Sequence, residues 1–298
     1  MFAPTRIFHH RDFSARALVD AKQDALVTLC LPAKDEAATI GAIVALVRHA
    51  LVETVPLVDE ILVVDDGSTD STVEVARDAG ARVERASELL PDVGPGTGKG
   101  ETMWKGLGAA GGDFIVWCDA DITNFGSRFV TGVLGPLLTE PTVGFVKGYY
   151  DRPVNGKAGA GGRNTELVAR PVISLLHPHL SAIVQPLSGE YGGRRDVLEA
   201  VPFVQGYGVD LGLLIDVSAR FGLNIIAQVD LGIRTHRNRT LDELSPQALA
   251  IMQTAFTKAN LDGIGAAATL LRPGLDPLRM EHVERPPLAS LEREPRTA

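Results

Sequence analysis

In the first 121 residues, short apolar runs alternate with segments of helical periodicity, and three of the runs end abruptly in polar clusters. Residues 25–31 (ALVTLCL) form a continuous apolar run with β-branched content, as expected of a strand covered on both faces and ending at Pro32. A helix follows, with Ile40, Ile43, Val44, Val47 and Leu51 on one stripe. Residues 60–64 (EILVV) read as a second buried strand, closing on Asp65-Asp66-Gly67-Ser68. Asp70 or Ser71 can cap the next helix, Ser71 with Glu74 fitting a capping box. A third strand at 81–84 leads into the loop 91–98, a helix begins near Lys99, and residues 113–118 (DFIVWC) form a fourth strand ending at Asp119-Ala120-Asp121. Such alternation specifies an α/β chain with a parallel, doubly wound sheet. Ligands of these sheets sit beyond the carboxyl ends of the strands. The polar clusters 33–36, 65–68 and 119–121 fall there.

The second half is less regular. A strand at 143–149, a Gly-rich loop at 155–162 and a helix from Asn164 or Thr165 come first. A turn-rich loop at 189–194 (GEYGGR), a helix at 209–219 and a strand at 224–229 follow. Pro and charge after about residue 270 predict a mobile tail. The expected division is 1–121, 122–265 and, as a partly flexible extension, 266–298.

A formal net charge of −8 over 298 residues argues against non-specific nucleic-acid binding. An anionic small substrate stays open, because a few arginines in a cleft create a local positive field. Cys30 and Cys118, both inside apolar runs, read as buried thiols of a reducing compartment. The first fourteen residues lack a signal-peptide core, and no apolar stretch reaches the roughly 20 residues of a membrane span. A cytoplasmic protein without membrane insertion is expected.

Asp119-x-Asp121 is the most informative feature. Two carboxylates one residue apart at a strand end repel unless a cation stands beside them, and a hard divalent ion would also neutralise a pyrophosphate. Asp121 is the candidate metal ligand and Asp119 the contact to ribose or sugar. The alternative is a pair of solvated helix-capping acids, which the position after the fourth strand disfavours. Asp65-Asp66 and Glu36 could each bind a nucleoside or merely terminate a strand. Gly94-Pro95-Gly96-Thr97-Gly98-Lys99-Gly100 fails the phosphate-loop pattern, with Val93 for the first glycine and Gly100 for Ser or Thr. Lys99 could still meet a phosphate at a helix start, or be an exposed lysine on a turn. In Arg234-x-His236-x-x-Arg239, His236 suits a third metal ligand or a structural histidine, and the arginines suit a departing diphosphate. Arg163-Asn164-Thr165, at a helix N-terminus, forms an anion site or a plain cap. Asp210 and Glu190 are the remaining candidate carboxylates.

At these residues the chain resembles the GT-A glycosyltransferases, and more closely the actinobacterial glucosyl-3-phosphoglycerate synthases of glycosyltransferase family 81. The motifs LPAKDEAATI, ILVVDDGSTDST, GTGKGETMWK, WCDADITNF, GGRNTELVARP, LSGEYGGRR, GYGVDLGLLID and IRTHRNR carry the resemblance over residues 1–265. It implies a GT-A fold: a Rossmann-like, mostly parallel sheet with helices on both faces and a smaller C-terminal acceptor lobe. It implies UDP-glucose as donor and the 2-hydroxyl of D-3-phosphoglycerate as acceptor, with retention of configuration. Uridine would lie against Pro32, Ala33, Glu36, Ser68 and Lys99, with Asp119 and Ala120 at the ribose or sugar. Asp121 and His236 would hold Mg²⁺ or Mn²⁺, while Tyr207, Arg234 and Arg239 position the diphosphate. Leu187 and Gly189 would line the pocket, and Gly162, Arg163, Asn164 and Thr165 would take the acceptor's phosphate and carboxylate. Asp210 stands where the family often has Glu, so its reach to the glucose hydroxyls is shorter. The resemblance further implies a homodimer serving methylglucose lipopolysaccharide synthesis, and front-face attack with the leaving diphosphate taking the acceptor's proton.

Two related activities compete: mannosyl transfer from GDP-mannose to the same acceptor, and an inverting family 2-type transferase acting on a polyprenyl phosphate. The second normally brings membrane helices or an amphipathic segment, and neither is evident. A non-catalytic nucleotide-sugar-binding module would not need Asp121 or His236, and both are present.

Overall fold

The computed structural model describes residues 6–152, 162–235, 240–261, 267–272 and 274–292. In chain order the strands are β1 (Arg6–His9), β2 (Val27–Ala33), β3 (Glu60–Asp65), β4 (Arg82–Arg85), β5 (Phe114–Trp117), β6 (Phe145–Asp151), β7 (Tyr191–Arg194), β8 (Phe203–Val204), β9 (Ile226–Ile233), β10 (Ala267–Leu270), β11 (Leu278–Glu281) and β12 (Glu284–Arg285). The α-helices are α1 (Ala15–Lys22), α2 (Ile40–Val47), α3 (Thr72–Asp78), α4 (Lys99–Ala109), α5 (Arg128–Thr139), α6 (Arg170–Leu176), α7 (Arg195–Leu198), α8 (Val209–Phe221) and α9 (Leu241–Lys258).

Among the described residues, eight strands form one sheet in the order β1-β9-β6-β7-β5-β2-β3-β4. All neighbours are parallel except β7, which runs antiparallel between β5 and β6. Alternate residues of each central strand enter two separate cores, which is why the runs at β2, β3 and β5 are apolar throughout. Leu29, Leu31, Val63 and Val116 pack against Leu18 of α1, the Ile40–Val47 stripe of α2 and Phe129–Leu137 of α5. Cys30, Leu62, Val64 and Trp117 pack on the other face against Met103 and Trp104 of α4 and side chains of α6, α8 and α9. Both cysteines are buried free thiols. The α/β, mostly parallel architecture with helices on both faces is therefore as expected.

Three local expectations are corrected. Strand β2 does not stop at Pro32 but continues to Ala33. Its pairing with β5 ends at Cys30, so the missing proline N–H removes no ladder bond there. The capping box of Ser71 and Glu74 does not form. Asp70 instead accepts the Thr72 N–H at 2.9 Å and reaches Ala37 N at 3.2 Å. The stretch 189–194 is not a loop, since Tyr191–Arg194 is the antiparallel strand in mid-sheet. Its glycines permit the close packing, for a Cβ on Gly192 would stand 2.5 Å from the Ile115 carbonyl oxygen.

Of the tail expected to be mobile after about residue 270, the part from Glu284 to Leu288 packs onto the fold, while 293–298 lie outside the described residues. Strand β12 pairs with β8, Leu288 is fully buried, and the Trp104 Nε1–H donates to the Pro286 carbonyl at 2.9 Å. Burying one leucine contributes about 2 kcal/mol, and the β12 pairing and the Trp104 hydrogen bond add to it. Among the described residues no helix is long and apolar enough to cross a membrane.

Candidate active site

The carboxyl ends of β2, β3 and β5 open on a cleft of ≈ 1520 Å³. Strand β5 delivers Asp119 and Asp121 to its wall, and α4 delivers Lys99 from its first turn. Lys99 Nζ lies 3.0 Å from Asp119 Oδ1 and 3.2 Å from Asp210 Oδ1 at the start of α8. Arg234, just past β9, extends beneath the acids with its side chain only 2% exposed. One of its nitrogens, Nη2, donates to Asp119 Oδ2 at 2.8 Å and to Asp121 Oδ1 at 2.7 Å. Glu190 Oε1 stands 3.1 Å from Arg234 Nε but off the N–H direction, so that contact is coulombic.

The charges reinforce one another. Burial alone would raise the Asp119 carboxyl, but Lys99 and Arg234 outweigh it and hold Asp119 well below the usual carboxylate range. Burial alone would lower Lys99, and Asp119 with Asp210 holds it above the ordinary lysine value instead. Glu190, wholly buried, is pushed up by burial against the pull of Arg234. Asp119 thus stays ionised as a hydrogen-bond acceptor at any neutral pH.

Asp119 and Asp121 offer hard oxygen donors at the cleft wall. Mg²⁺-type ions bind through one or two carboxylates and take their other ligands from phosphate oxygens and water, so this donor set fits such an ion. Among the described residues no group of three or more His, Cys, Asp or Glu is arranged to hold a metal by itself. His236 and Arg239 lie outside the described residues.

The chain matches the glycosyl transferase family 2 model over residues 28–180, which spans β2 to the end of α6. A glucosyl-3-phosphoglycerate synthase of Petrotoga mobilis is 48% identical over 260 residues, covering 85% of this chain and 80% of that one. This chain belongs to the glucosyl-3-phosphoglycerate synthase family of glycosyltransferases. The Mycobacterium tuberculosis glucosyl-3-phosphoglycerate synthase, solved with Mn²⁺, UDP-glucose and phosphoglyceric acid, superposes with a TM-score of 0.86 at 40% identity over 96% of this chain and 98% of that one. A mannosyl-3-phosphoglycerate synthase from Rubrobacter xylanophilus superposes with 0.87 at 36% identity over 97% of this chain and 98% of that one.

For this member of the glucosyl-3-phosphoglycerate synthase family, most of the expected site residues share the one cleft. Pro32, Ala33, Glu36, Lys99, Asp119, Ala120 and Asp121 line its strand-end side. Gly162, Arg163, Asn164, Thr165, Leu187, Tyr207, Asp210 and Arg234 line the same cleft. Two expected residues do not line it. Ser68 lies beside the cleft, its hydroxyl accepting the Asp35 N–H at 2.9 Å. Gly189 lies under Asp119, and a Cβ there would be 2.2 Å from Asp119 Oδ2. Its role is to leave room for the acid. Asp65 is the strand-end cap, accepting the N–H groups of Gly67 and Ser68 at 3.2 and 3.1 Å. Asp66 faces the cleft, its carboxyl raised by burial despite Lys34.

Sequence reasoning missed Arg152, which lines the cleft and donates to the Tyr150 hydroxyl at 2.6 Å. Its position just past β6 was the available signal, since other polar groups of the site also follow strand ends. Gln247 and Ile251 of α9 also line the cleft and carried no motif.

Proposed function

We propose that the chain transfers glucose from UDP-glucose to the 2-hydroxyl of D-3-phosphoglycerate, with retention, giving glucosyl-3-phosphoglycerate. The observation that carries this reading is that Asp119 and Asp121 at a strand end share one cleft with Arg163, Asn164 and Thr165 at a helix start. The solved Mycobacterium tuberculosis relative holds Mn²⁺, UDP-glucose and phosphoglyceric acid in one complex, and Mn²⁺, UDP and glucosyl-3-phosphoglycerate in another.

Uridine would lie along Pro32, Ala33, Glu36 and Asp66, with Lys99 turned toward the phosphates. Asp121 and His236 would hold a divalent ion, which would supply positive charge against the diphosphate. Asp119, kept ionised by Lys99 and Arg234, accepts hydrogen bonds from ribose or glucose hydroxyls. Asp210 stands 3.2 Å from Lys99 and is the candidate partner for the glucose hydroxyls. Arg163, Asn164, Thr165 and the backbone N–H groups at that helix start bind the acceptor's phosphate and carboxylate. With no side chain assigned as nucleophile, the acceptor hydroxyl attacks from the face the diphosphate leaves, and a diphosphate oxygen takes its proton. Residues 1–121 then form the donor half, 122–265 the acceptor half and 266–298 an extension. A cytoplasmic homodimer serving methylglucose lipopolysaccharide synthesis completes the reading.

Mannosyl transfer from GDP-mannose is the second reading, favoured by the superposition on the Rubrobacter protein. Offering UDP-glucose, GDP-glucose, UDP-galactose and GDP-mannose with 3-phosphoglycerate, with and without chelator, separates the two. UDP release that needs acceptor and metal supports glucosyl transfer; turnover confined to GDP-mannose contradicts it.

A further inference from the structure

Strand β12 contributes one arginine to a place far from its own neighbours in sequence. The Arg285 guanidinium reaches the loop that precedes Lys99 and binds three consecutive carbonyls there. Nη1 donates to Val93 O at 2.7 Å, and Nη2 donates to Gly94 O at 3.0 Å and Pro95 O at 2.9 Å. The same guanidinium holds Glu101 of α4 by both oxygens, at 2.6 Å from Nε and 2.8 Å from Nη2. Glu101 is fully buried, and Lys105 approaches its Oε1 at 3.4 Å. The loop is folded down onto this pair: a Cβ on Gly96 would lie 2.3 Å from the Glu101 carboxyl carbon.

This strap, β12, also holds a second segment that lines the cleft. Glu284 and Arg285 pair with Val204 and Phe203, and Gln205 N–H donates to Val283 O at 2.9 Å. That places β12 directly behind Gly206, Tyr207 and the first turn of α8, which carries Asp210. Gly98 and Gly206 meet so closely that a Cβ on Gly98 would be 2.9 Å from the Gly206 Cα. Glu284 is anchored in turn by Lys258 of α9 at 2.6 Å. Two cleft segments, 97–99 and 206–210, are therefore fixed relative to each other through one short strand.

We propose that Arg285 is a positioning residue for donor binding, holding Thr97, Gly98 and Lys99 in place through the carbonyls of 93–95. It touches no cleft surface itself, and it acts on the loop that the nucleotide would contact. The inference rests on the proposed donor site. A lysine at 285 can pair with Glu101 but presents one point charge in place of a planar fork, and cannot hold three carbonyls and a carboxylate together.

The test is Arg285→Lys, which keeps a cation on the buried Glu101, with Arg285→Ala beside it. Steady-state kinetics and UDP calorimetry should find the UDP-glucose KM and the UDP Kd raised about tenfold in Arg285→Lys, corresponding to one or two lost hydrogen bonds. The turnover number and the acceptor KM should stay within about twofold, and Arg285→Ala should raise the donor constants further. Hydrogen exchange at residues 93–98 should quicken in Arg285→Lys. Folded Arg285→Lys with unchanged donor constants, or with donor and acceptor constants raised equally, overturns the inference. Should Arg285→Ala fail to fold, Arg285→Lys decides alone. Lys99→Ala separates the two levels: an unchanged donor KM there removes the donor site itself, whereas a raised one with normal Arg285→Lys removes only the strap's role.

Discussion

Gly189 lies directly beneath Asp119, with room for a hydrogen and nothing larger between its Cα and the Asp119 carboxylate. Replacement by alanine must displace the acid, the backbone of 188–190, or both. Overpacking of this kind destabilises by about 1–3 kcal/mol. Gly189→Ala should lose transfer activity about a hundredfold or more while still folding. Thermal melting beside kinetics checks this, and a variant with wild-type kcat/KM would show that Asp119 need not stand where it does.

Asp121→Ala should abolish transfer without unfolding the chain. The buried Arg234 keeps Asp119 at 2.8 Å and Glu190 at 3.1 Å, so its charge is not stranded. A fall of about a thousandfold in the turnover number, with Tm within a few degrees of wild type, is the expected outcome. A variant that unfolds, yet has normal specific activity in its folded fraction, contradicts a metal-binding role.

Arg163, exposed at the start of the 165–176 helix, lines the cleft where the acceptor is proposed to bind. Arg163→Ala should raise the 3-phosphoglycerate KM by tenfold or more, as loss of a charge-assisted contact to phosphate does, and leave the UDP-glucose KM within about twofold. Equal changes in both would take Arg163 out of the acceptor site.

Lys147 is buried beneath the cleft, its Nζ 3.8 Å from the centre of the Tyr191 ring and 3.4 Å from the Asp210 carbonyl oxygen. Burial pushes it down to about 7. The unfolded chain keeps that proton to about pH 10.4, so between about 7 and 10 the unfolded state binds more protons and this residue makes stability rise with pH. Below pH 7 both states are charged and the burial penalty is fully present. Lys147→Met should therefore gain most in Tm over wild type at pH 6 and least at pH 10. A gap that is flat with pH, or widens toward pH 10, contradicts a lysine titrating there.

The parts of the site legible in the sequence are those where chain order and space coincide. The runs of β2, β3 and β5 are apolar on both faces because each strand is covered by two cores, and the acids that end them must lie at the sheet's carboxyl edge. Strand β7 escaped notice because glycine, which has low strand propensity, is required there by the nearness of Ile115 and Gly144. Ser68 was expected against the uridine through the family resemblance alone, and its hydroxyl accepts the Asp35 N–H beside the cleft. Arg285 was illegible for another reason: its partners Val93 and Glu101 are 192 and 184 residues away, and neither periodicity nor a local motif records a contact of that separation.

Crystals soaked with UDP and Mn²⁺, read at the manganese absorption edge, show whether Asp121 holds the ion that meets the diphosphate. One strong anomalous peak is expected in bonding contact with the Asp121 carboxylate, His236 and the diphosphate, with Asp119 alongside. An ion bound away from Asp121, or nucleotide density outside the cleft between β2, β5 and α4, would contradict it.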